Sequence, residues 1–238
     1  MLKITDANNF RRTVVGLCLI AAPLVLILSG YIDPDPTGGA AELVQTMAEH
    51  PERSQAANIV WIISSILFVP ALVGLLYLIR DRGVVLVHIG VGLSLIAAVG
   101  RAVWVGFQIV LNGLIQSGID PEQLSAVVES GPPNAGFVIV LLMSAGCTFL
   151  GMIILAISLW RGRVAPLWVA ACIIAAIVWV SIPPLNTIMP QVDIGGALLL
   201  VGFGWVGLKV LRMSDADWER GTLPSSKEPG FAAQARVQ

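Results

Sequence analysis

The long apolar segments of this 238-residue chain contain almost none of the residues that carry chemistry. Charged residues make up only 12% of the chain, it has two histidines, and no Asp or Glu lies in the middle of an apolar run. Proton-coupled transporters usually carry an acidic residue inside a span. A membrane haem needs paired axial ligands at matching depths, whereas His88 lies in an apolar run and His50 lies outside one. We therefore expect no haem, and proton coupling is disfavoured.

Motifs of the common enzyme classes are missing as well. There is no His/Glu cluster for catalytic zinc, no glycine-rich phosphate loop and no nucleophile elbow. Cys18, Cys147 and Cys172 all lie in apolar runs and have no metal-type spacing, so we expect them to pack as small apolar side chains without a disulfide. A formal net charge of -1 argues against nucleic acid. The sequence predicts no enzyme, metal or cofactor and no nucleic-acid partner.

Six long apolar stretches fill most of the chain. They run over 13–30, 57–80, 84–111, 135–160, 165–184 and 193–212. A spanning helix needs about 20 residues at 1.5 Å rise per residue. Continuous apolar runs exclude a barrel, whose strands alternate in polarity, and unpaired peptide groups are too costly in lipid for other structures. The sequence therefore predicts an all-α, polytopic membrane protein, with a bundle of six transmembrane helices over 1–212.

Basic residues sort to one side of these spans. Of the 14 Lys and Arg, only Arg53 falls on the opposite side and only Arg101 lies deep inside a span, while the others lie at or beyond the predicted cytoplasmic ends of the spans. Because basic residues accumulate in cytoplasmic loops, we predict an inner- or plasma-membrane protein with both termini in the cytoplasm. The first span resembles a signal sequence, but Leu28-Ser29-Gly30-Tyr31 lacks a clean cleavage site. We therefore expect it to be retained as a signal anchor.

Each of the two longer outer loops is predicted to hold a short amphipathic helix. Asp120 and Pro121 favour a helix start in the second loop. The apolar faces consist of Leu43, Val44 and Met47 in the first loop and Leu124, Val127 and Val128 in the second. Two roles stay open for these helices, a lid on the bundle or lipid interface and an extracellular docking surface.

The sequence predicts structural roles for the tail and for several polar residues near the helix ends. The cytoplasmic tail over 213–238 is rich in Ser, Pro, Lys and Glu and is predicted to be mostly disordered. Trp218 is expected to anchor its first turn at the lipid interface. Asn58, Asn186 and Asp193 are expected to cap helices.

Arg101 is the one charged residue deep inside a span. It lies about ten residues from the outer end of the third helix, near the bilayer middle, where an arginine costs at least about 2.5 kcal/mol. At 100° per residue it lies on a small and polar face about 60° wide, which consists of Gly90, Ser94, Ala97, Arg101, Gln108 and Asn112. This face is expected to point into the bundle. The candidate intramembrane polar site is Arg101, Gln108, Ser94 and Asn112.

Two interpretations of Arg101 stay open. It is either a structural brace or the contact for an anionic group, such as a lipid phosphate or a carboxylate that reaches in from the outer side. The neutral partners available to a brace are the Ile66 carbonyl that Pro70 leaves free, Ser144, Thr148 and the backbone around Pro183-Pro184.

Four elements carry a resemblance. They are Arg11-Arg12, Ala56-Ala57-Asn58, the basic turn Leu78-Ile79-Arg80-Asp81-Arg82, and Gly100-Arg101-Ala102-Val103 with Gln108. In these elements the chain resembles an uncharacterised family of bacterial six-span membrane proteins, known only as a domain of unknown function. The resemblance covers most of 10–212, and it implies a fold and no activity.

The sequence thus predicts a multi-pass, non-enzymatic protein of the bacterial cell membrane. Short cytoplasmic turns and missing catalytic groups favour an accessory or scaffold subunit of a membrane assembly. The alternative is a small permease or lipid-binding protein in which Arg101 contacts an anionic group, and a weaker one is an environmental sensor. Expected partners are the lipid bilayer, other membrane subunits and anionic lipid. Pro70 has no counterpart midway along the fifth span, which disfavours the inverted repeats of many transporters.

Overall fold

Every regular element in the described residues is a helix. The computed structural model describes residues 7–33, 40–79, 83–130, 135–181, 194–214 and 217–218. The elements are α1 (Ala7–Ile32), α2 (Ala40–Glu49), α3 (Pro51–Leu78), α4 (Val84–Gln116), α5 (Pro121–Ser130), α6 (Ala135–Leu141), a π-helical segment (Leu142–Gly146), α7 (Cys147–Arg161), α8 (Leu167–Ser181) and α9 (Ile194–Arg212). Asn186, Asp193 and the turn at 80–82 lie outside the described residues.

Five helices are long and apolar enough to cross a membrane. They are α1, α3, α4, α9 and the continuous helix Val138–Arg161, which runs from α6 through the π-helical segment into α7. The described part of α8 is apolar but has 15 residues, or about 22 Å at 1.5 Å per residue, short of a hydrocarbon layer of about 30 Å. The all-helical prediction and its compatibility with a multi-pass membrane protein are confirmed. The sixth span stays a prediction.

The long helices form a ring in which each packs on the next along the chain. α1 packs on α3, α3 on α4, α4 on α7, α7 on α8, and α8 on α9, which returns to α1. Leu19, Leu75, Leu155, Ile173 and Phe203 are among the most buried side chains between them. Connected elements are usually spatial neighbours, so only the contact between α9 and α1 needs the tertiary structure to reveal it.

Glycines let α4 and α7 approach each other closely. A Cβ atom at Gly90 of α4 would lie 2.9 Å from the backbone nitrogen of Leu155 in α7. One at Gly151 of α7 would lie 2.9 Å from the backbone nitrogen of Ser94. Membrane helices associate through such small residues because lipid supplies no hydrophobic driving force between them. The two helices are therefore fixed side by side just before Arg101.

The short helices α2 and α5 pack on each other and on the end of α4; we call this pair the α2–α5 cap. Its buried apolar cluster consists of Val44, Met47, Leu111 and Leu124. Val127 is 67% exposed whereas Leu124 is buried, so only part of the predicted apolar face of α5 is covered. Arg53 donates to the carbonyls of Ile32 and Tyr31 at 3.2 and 3.4 Å, and it thereby caps the last turn of α1.

Residues beyond α9 join the core at the opposite end of the bundle. The Trp218 side chain is 2% exposed, and its ring stacks on Tyr77 with the centroids 5.5 Å apart. Arg12 donates a hydrogen bond to the carbonyl of Met213. The expected anchoring of Trp218 in the lipid interface is wrong, because the ring is enclosed by protein. The rest of the tail, 219–238, lies outside the described residues.

Candidate functional site

Arg101 lies beside the π-helical segment. A Cβ atom at its neighbour Gly100 would lie 2.6 Å from the backbone nitrogen of Ser144, so α4 approaches this segment as closely as glycine allows. The N–H of Cys147 donates to the Leu142 carbonyl, five residues back, as in a π-helix. Such segments inside α-helices are frequent at functional sites. The close approach brings the Arg101 side chain within reach of α7.

Two protein contacts hold the guanidinium, one from α7 and one from α3. One terminal nitrogen donates to the Thr148 hydroxyl of α7 at 3.2 Å. The central carbon lies 5.1 Å from the ring centroid of Trp61 in α3, within the range of a cation–π contact. The Thr148 hydroxyl itself donates to the Ser144 carbonyl of the π-helical segment. Thr148 is one of the partners that the sequence predicts, and Trp61 is not.

The part of the chain that the structure describes uses little of the hydrogen-bonding capacity of Arg101. A guanidinium has five N–H donors, and within the described residues Arg101 makes a single hydrogen bond and pairs with no carboxylate. The side chain is only partly buried. A brace built on the Ile66 carbonyl is therefore not found, and Pro183-Pro184 lies outside the described residues.

Ser54 and Asn58 of α3 are buried polar residues, each with a side-chain atom that lacks a hydrogen-bond partner. Each is 4% exposed, and Ser54 Oγ and Asn58 Nδ2 are sealed from solvent without a hydrogen-bond partner. The prediction that Asn58 caps its helix is wrong, because α3 begins at Pro51 and continues through it. A buried donor without a partner costs about 1–3 kcal/mol. Two such groups on one helix require an explanation.

These two residues lie on the same side of α3 as Trp61. At 100° per residue Ser54, Asn58 and Trp61 fall within about 60° of arc. The α3–α4 pair is joined at Trp61 and Arg101, and again where Asn112 Nδ2 donates to the Pro51 carbonyl at 3.0 Å. Ser54 and Asn58 lie between these two joins. We call Ser54, Asn58, Trp61 and Arg101 the polar seam.

The four residues predicted for the site do not gather into one cluster. Ser94 donates to the Gly90 carbonyl at 2.8 Å where α4 meets α7, so its role is packing. Asn112 joins α4 to the start of α3. Gln108 is half-buried, and the antiparallel register places it roughly level with Ser54. Arg101 is the member that brings charge to the polar seam.

Sequence reasoning did not find Ser54 or Trp61, and it gave Asn58 a different role. One signal was present: a helical projection of α3 places all three within the same arc. That projection carries no information about which helix the arc faces. The neighbour is known only from the contacts of Pro51 and Trp61 with α4.

The described residues contain no group of three or more His, Cys, Asp or Glu that could hold a metal. No protein-family model, curated protein or solved structure matches this chain. The resemblance to a six-span family of unknown function therefore stays a prediction. The fold defines an all-helical protein compatible with membrane embedding, and the polar seam is its candidate functional site.

Proposed function

We propose that this chain is a non-enzymatic, multi-pass membrane protein that binds an anionic group at Arg101, either as a lipid-binding protein or as a small permease. The observation that carries the proposal is a guanidinium with one protein hydrogen bond and no paired carboxylate in the described residues. An anion with two oxygens can use the remaining donors as a bidentate pair. Trp61 and Thr148 hold the guanidinium from two sides, which limits the entropy lost when a ligand binds.

Native mass spectrometry of protein purified in a mild detergent tests this function. Wild-type protein is expected to retain an anionic lipid or metabolite, and Arg101→Leu to reduce the retained fraction at least about tenfold, since buried charged pairs contribute several kcal/mol. Arg101→Lys is expected to retain an intermediate fraction of the ligand, because lysine supplies a point charge without the planar fork. Arg53→Leu is the matched control, since Arg53 donates to the α1 carbonyls. Equal retention by all four proteins would contradict the proposal.

A second candidate, an accessory or scaffold subunit, is supported by one surface. Of the five candidate spans, the helix Val138–Arg161 is the least covered by the rest of the described chain. Its side chains Ile139, Leu142 and Leu150 are 55%, 61% and 54% exposed. A partner subunit would cover this apolar surface. The same spectra separate the candidates: a protein partner bound to every variant, without an anionic ligand, supports the subunit and counts against anion binding.

We further propose that six helices span a bacterial inner or plasma membrane, with both termini in the cytoplasm and the α2–α5 cap outside. The distribution of basic residues supports this orientation. A membrane-impermeant maleimide added to intact cells is expected to label Ser125→Cys in α5 and not Arg161→Cys at the end of α7. Arg161→Cys becomes labelled once the cells are permeabilised. Wild-type protein controls for its three native cysteines, and the reverse labelling pattern would overturn the orientation.

A further inference from the structure

We propose that the ligand site extends from Arg101 along the polar seam toward the α2–α5 cap, and that Asn58 and Ser54 are binding residues for further oxygen atoms of the same ligand. The ligand class is an anion with one carboxylate or phosphate for Arg101 and additional acceptor oxygens of the hydroxyl, ester or carbonyl type. This inference rests on the proposed function and specifies which ligands that site selects.

Other buried polar side chains show how unusual this pair is. The described residues contain seven buried Ser and Asn side chains, and the five outside the polar seam all make a hydrogen bond. They are Ser29, Ser64, Ser94, Asn112 and Ser158. Ser54 and Asn58, whose Oγ and Nδ2 have no partner, lie one turn apart on one face of α3. Two unpaired polar groups thus lie on one face of α3 near the level of Arg101, and a further buried nitrogen without a partner, Trp218 Nε1, lies at the opposite end of the bundle.

The identity of the unpaired atoms restricts the ligand chemistry. Nδ2 of Asn58 is a donor, the Ser54 hydroxyl can donate, and the free N–H groups of Arg101 can only donate. A ligand that satisfies all three must present acceptor oxygens in a row. Gln108, half-buried on the opposite helix, adds one more amide at the level of Ser54. Cationic and purely apolar ligands are disfavoured, because they would leave these donors unpaired.

Spacing restricts the size of the ligand. Asn58 is three residues from Trp61 along α3 and Ser54 is seven, which corresponds to about 4.5 and 10.5 Å at 1.5 Å per residue. A lone phosphate or bicarbonate is too small to meet both Arg101 and Ser54. A lipid headgroup or a small organic phosphate or carboxylate has the required reach. The two sources share one chemistry, and binding experiments can separate them.

Three probes test the inference on the full chain in detergent: phosphatidylglycerol, water-soluble glycerol 3-phosphate, and inorganic phosphate. Wild-type protein is expected to bind phosphatidylglycerol or glycerol 3-phosphate more tightly than inorganic phosphate, and the tighter of the first two identifies the source. Asn58→Leu is expected to lower that affinity about tenfold, the effect of losing one buried hydrogen bond, and to leave inorganic phosphate binding unchanged. Ser54→Ala acts in the same direction with a smaller effect.

Ser64→Ala is the control, because the Ser64 hydroxyl already donates to the Ala22 carbonyl of α1 at 3.0 Å. The melting temperature of ligand-free Asn58→Leu is expected to equal or exceed that of wild type, since an unpaired buried donor is removed. A melting temperature that falls together with the affinity identifies a structural residue and overturns the inference.

Unchanged affinity in both seam variants also overturns the inference, while the proposed function survives if Arg101→Leu still abolishes binding. Failure of all three probes to bind wild type, or full binding by Arg101→Leu, overturns both.

Discussion

Replacing Gly90 by leucine is expected to remove most of the folded protein from a detergent extract, whereas Gly92→Leu leaves the yield near wild type. A Cβ atom at Gly90 would meet the backbone nitrogen and Cα of Leu155 at 2.9 and 3.1 Å and the Gly151 carbonyl at 3.2 Å. These are backbone atoms of α7, which cannot rotate away as a side chain can. At Gly92, two residues along the same helix, an added Cβ atom meets nothing within 4 Å.

Overpacking of a close-packed interior typically costs about 1–3 kcal/mol and occasionally more, and Gly90→Leu adds four carbons where there is no room for the first. Size-exclusion chromatography of a fluorescent fusion measures the folded fraction, and a thermal melt measures its stability. Gly90→Ala is expected to lie between wild type and Gly90→Leu. Similar losses in the Gly90 and Gly92 variants would show that α4 and α7 do not make this contact.

Replacing Trp218 by alanine is expected to lower the stability of the protein by about 3–5 kcal/mol, the usual cost of removing a buried tryptophan. The Trp218 ring is 2% exposed and stacks on Tyr77 at the end of α3. Its removal therefore leaves a cavity at the point where the segment after α9 contacts α3. For a chain of this length the melting temperature is expected to fall by roughly 10 °C.

Trp160→Ala provides the comparison, because Trp160 is 46% exposed near the same end of the bundle. Its melting temperature is expected to change by only a few degrees, since an exposed ring leaves no cavity. The measurement is a thermal melt of both variants in the same detergent. Equal shifts in the two variants would restore the interpretation of Trp218 as an anchor at the lipid interface.

Hydropathy locates the apolar part of a helix but does not locate the ends of the helix. The apolar run predicts a second span from 57, but α3 begins at Pro51, directly after His50. Proline is favoured in the first turn of a helix because its missing N–H has no partner there in any case. An apolar run marks the part of a helix suited to hydrocarbon, and the helix itself extends further. Because of this difference the apolar run predicts a cap at Asn58, which in fact lies inside the helix.

The sequence likewise predicts only some of the features around Arg101. Its depth and its small, polar helical face follow from the 3.6-residue period, and Thr148 follows from its height in the fourth span. The contact of Arg101 with Trp61 does not follow from the sequence, because it depends on how α3 is rotated about its own axis. The π-helical segment Leu142–Gly146 is likewise not predictable, since its sequence has no marker that separates it from an α-helix.

The sequence by itself determined that this chain is a set of apolar helices with one cation deep inside a span, because length and apolar composition are local properties that lipid selects directly. The tertiary structure decided which helix faces which. Through that choice it decided that Ser54 and Asn58 are buried on the side of α3 that carries Trp61, and that Trp218 belongs to the core. The physical reason is that the contacts of a side chain depend on the rotation and register of a neighbouring helix. Close approaches such as that of Gly90 to Leu155 set both, over distances that no periodicity in one helix records.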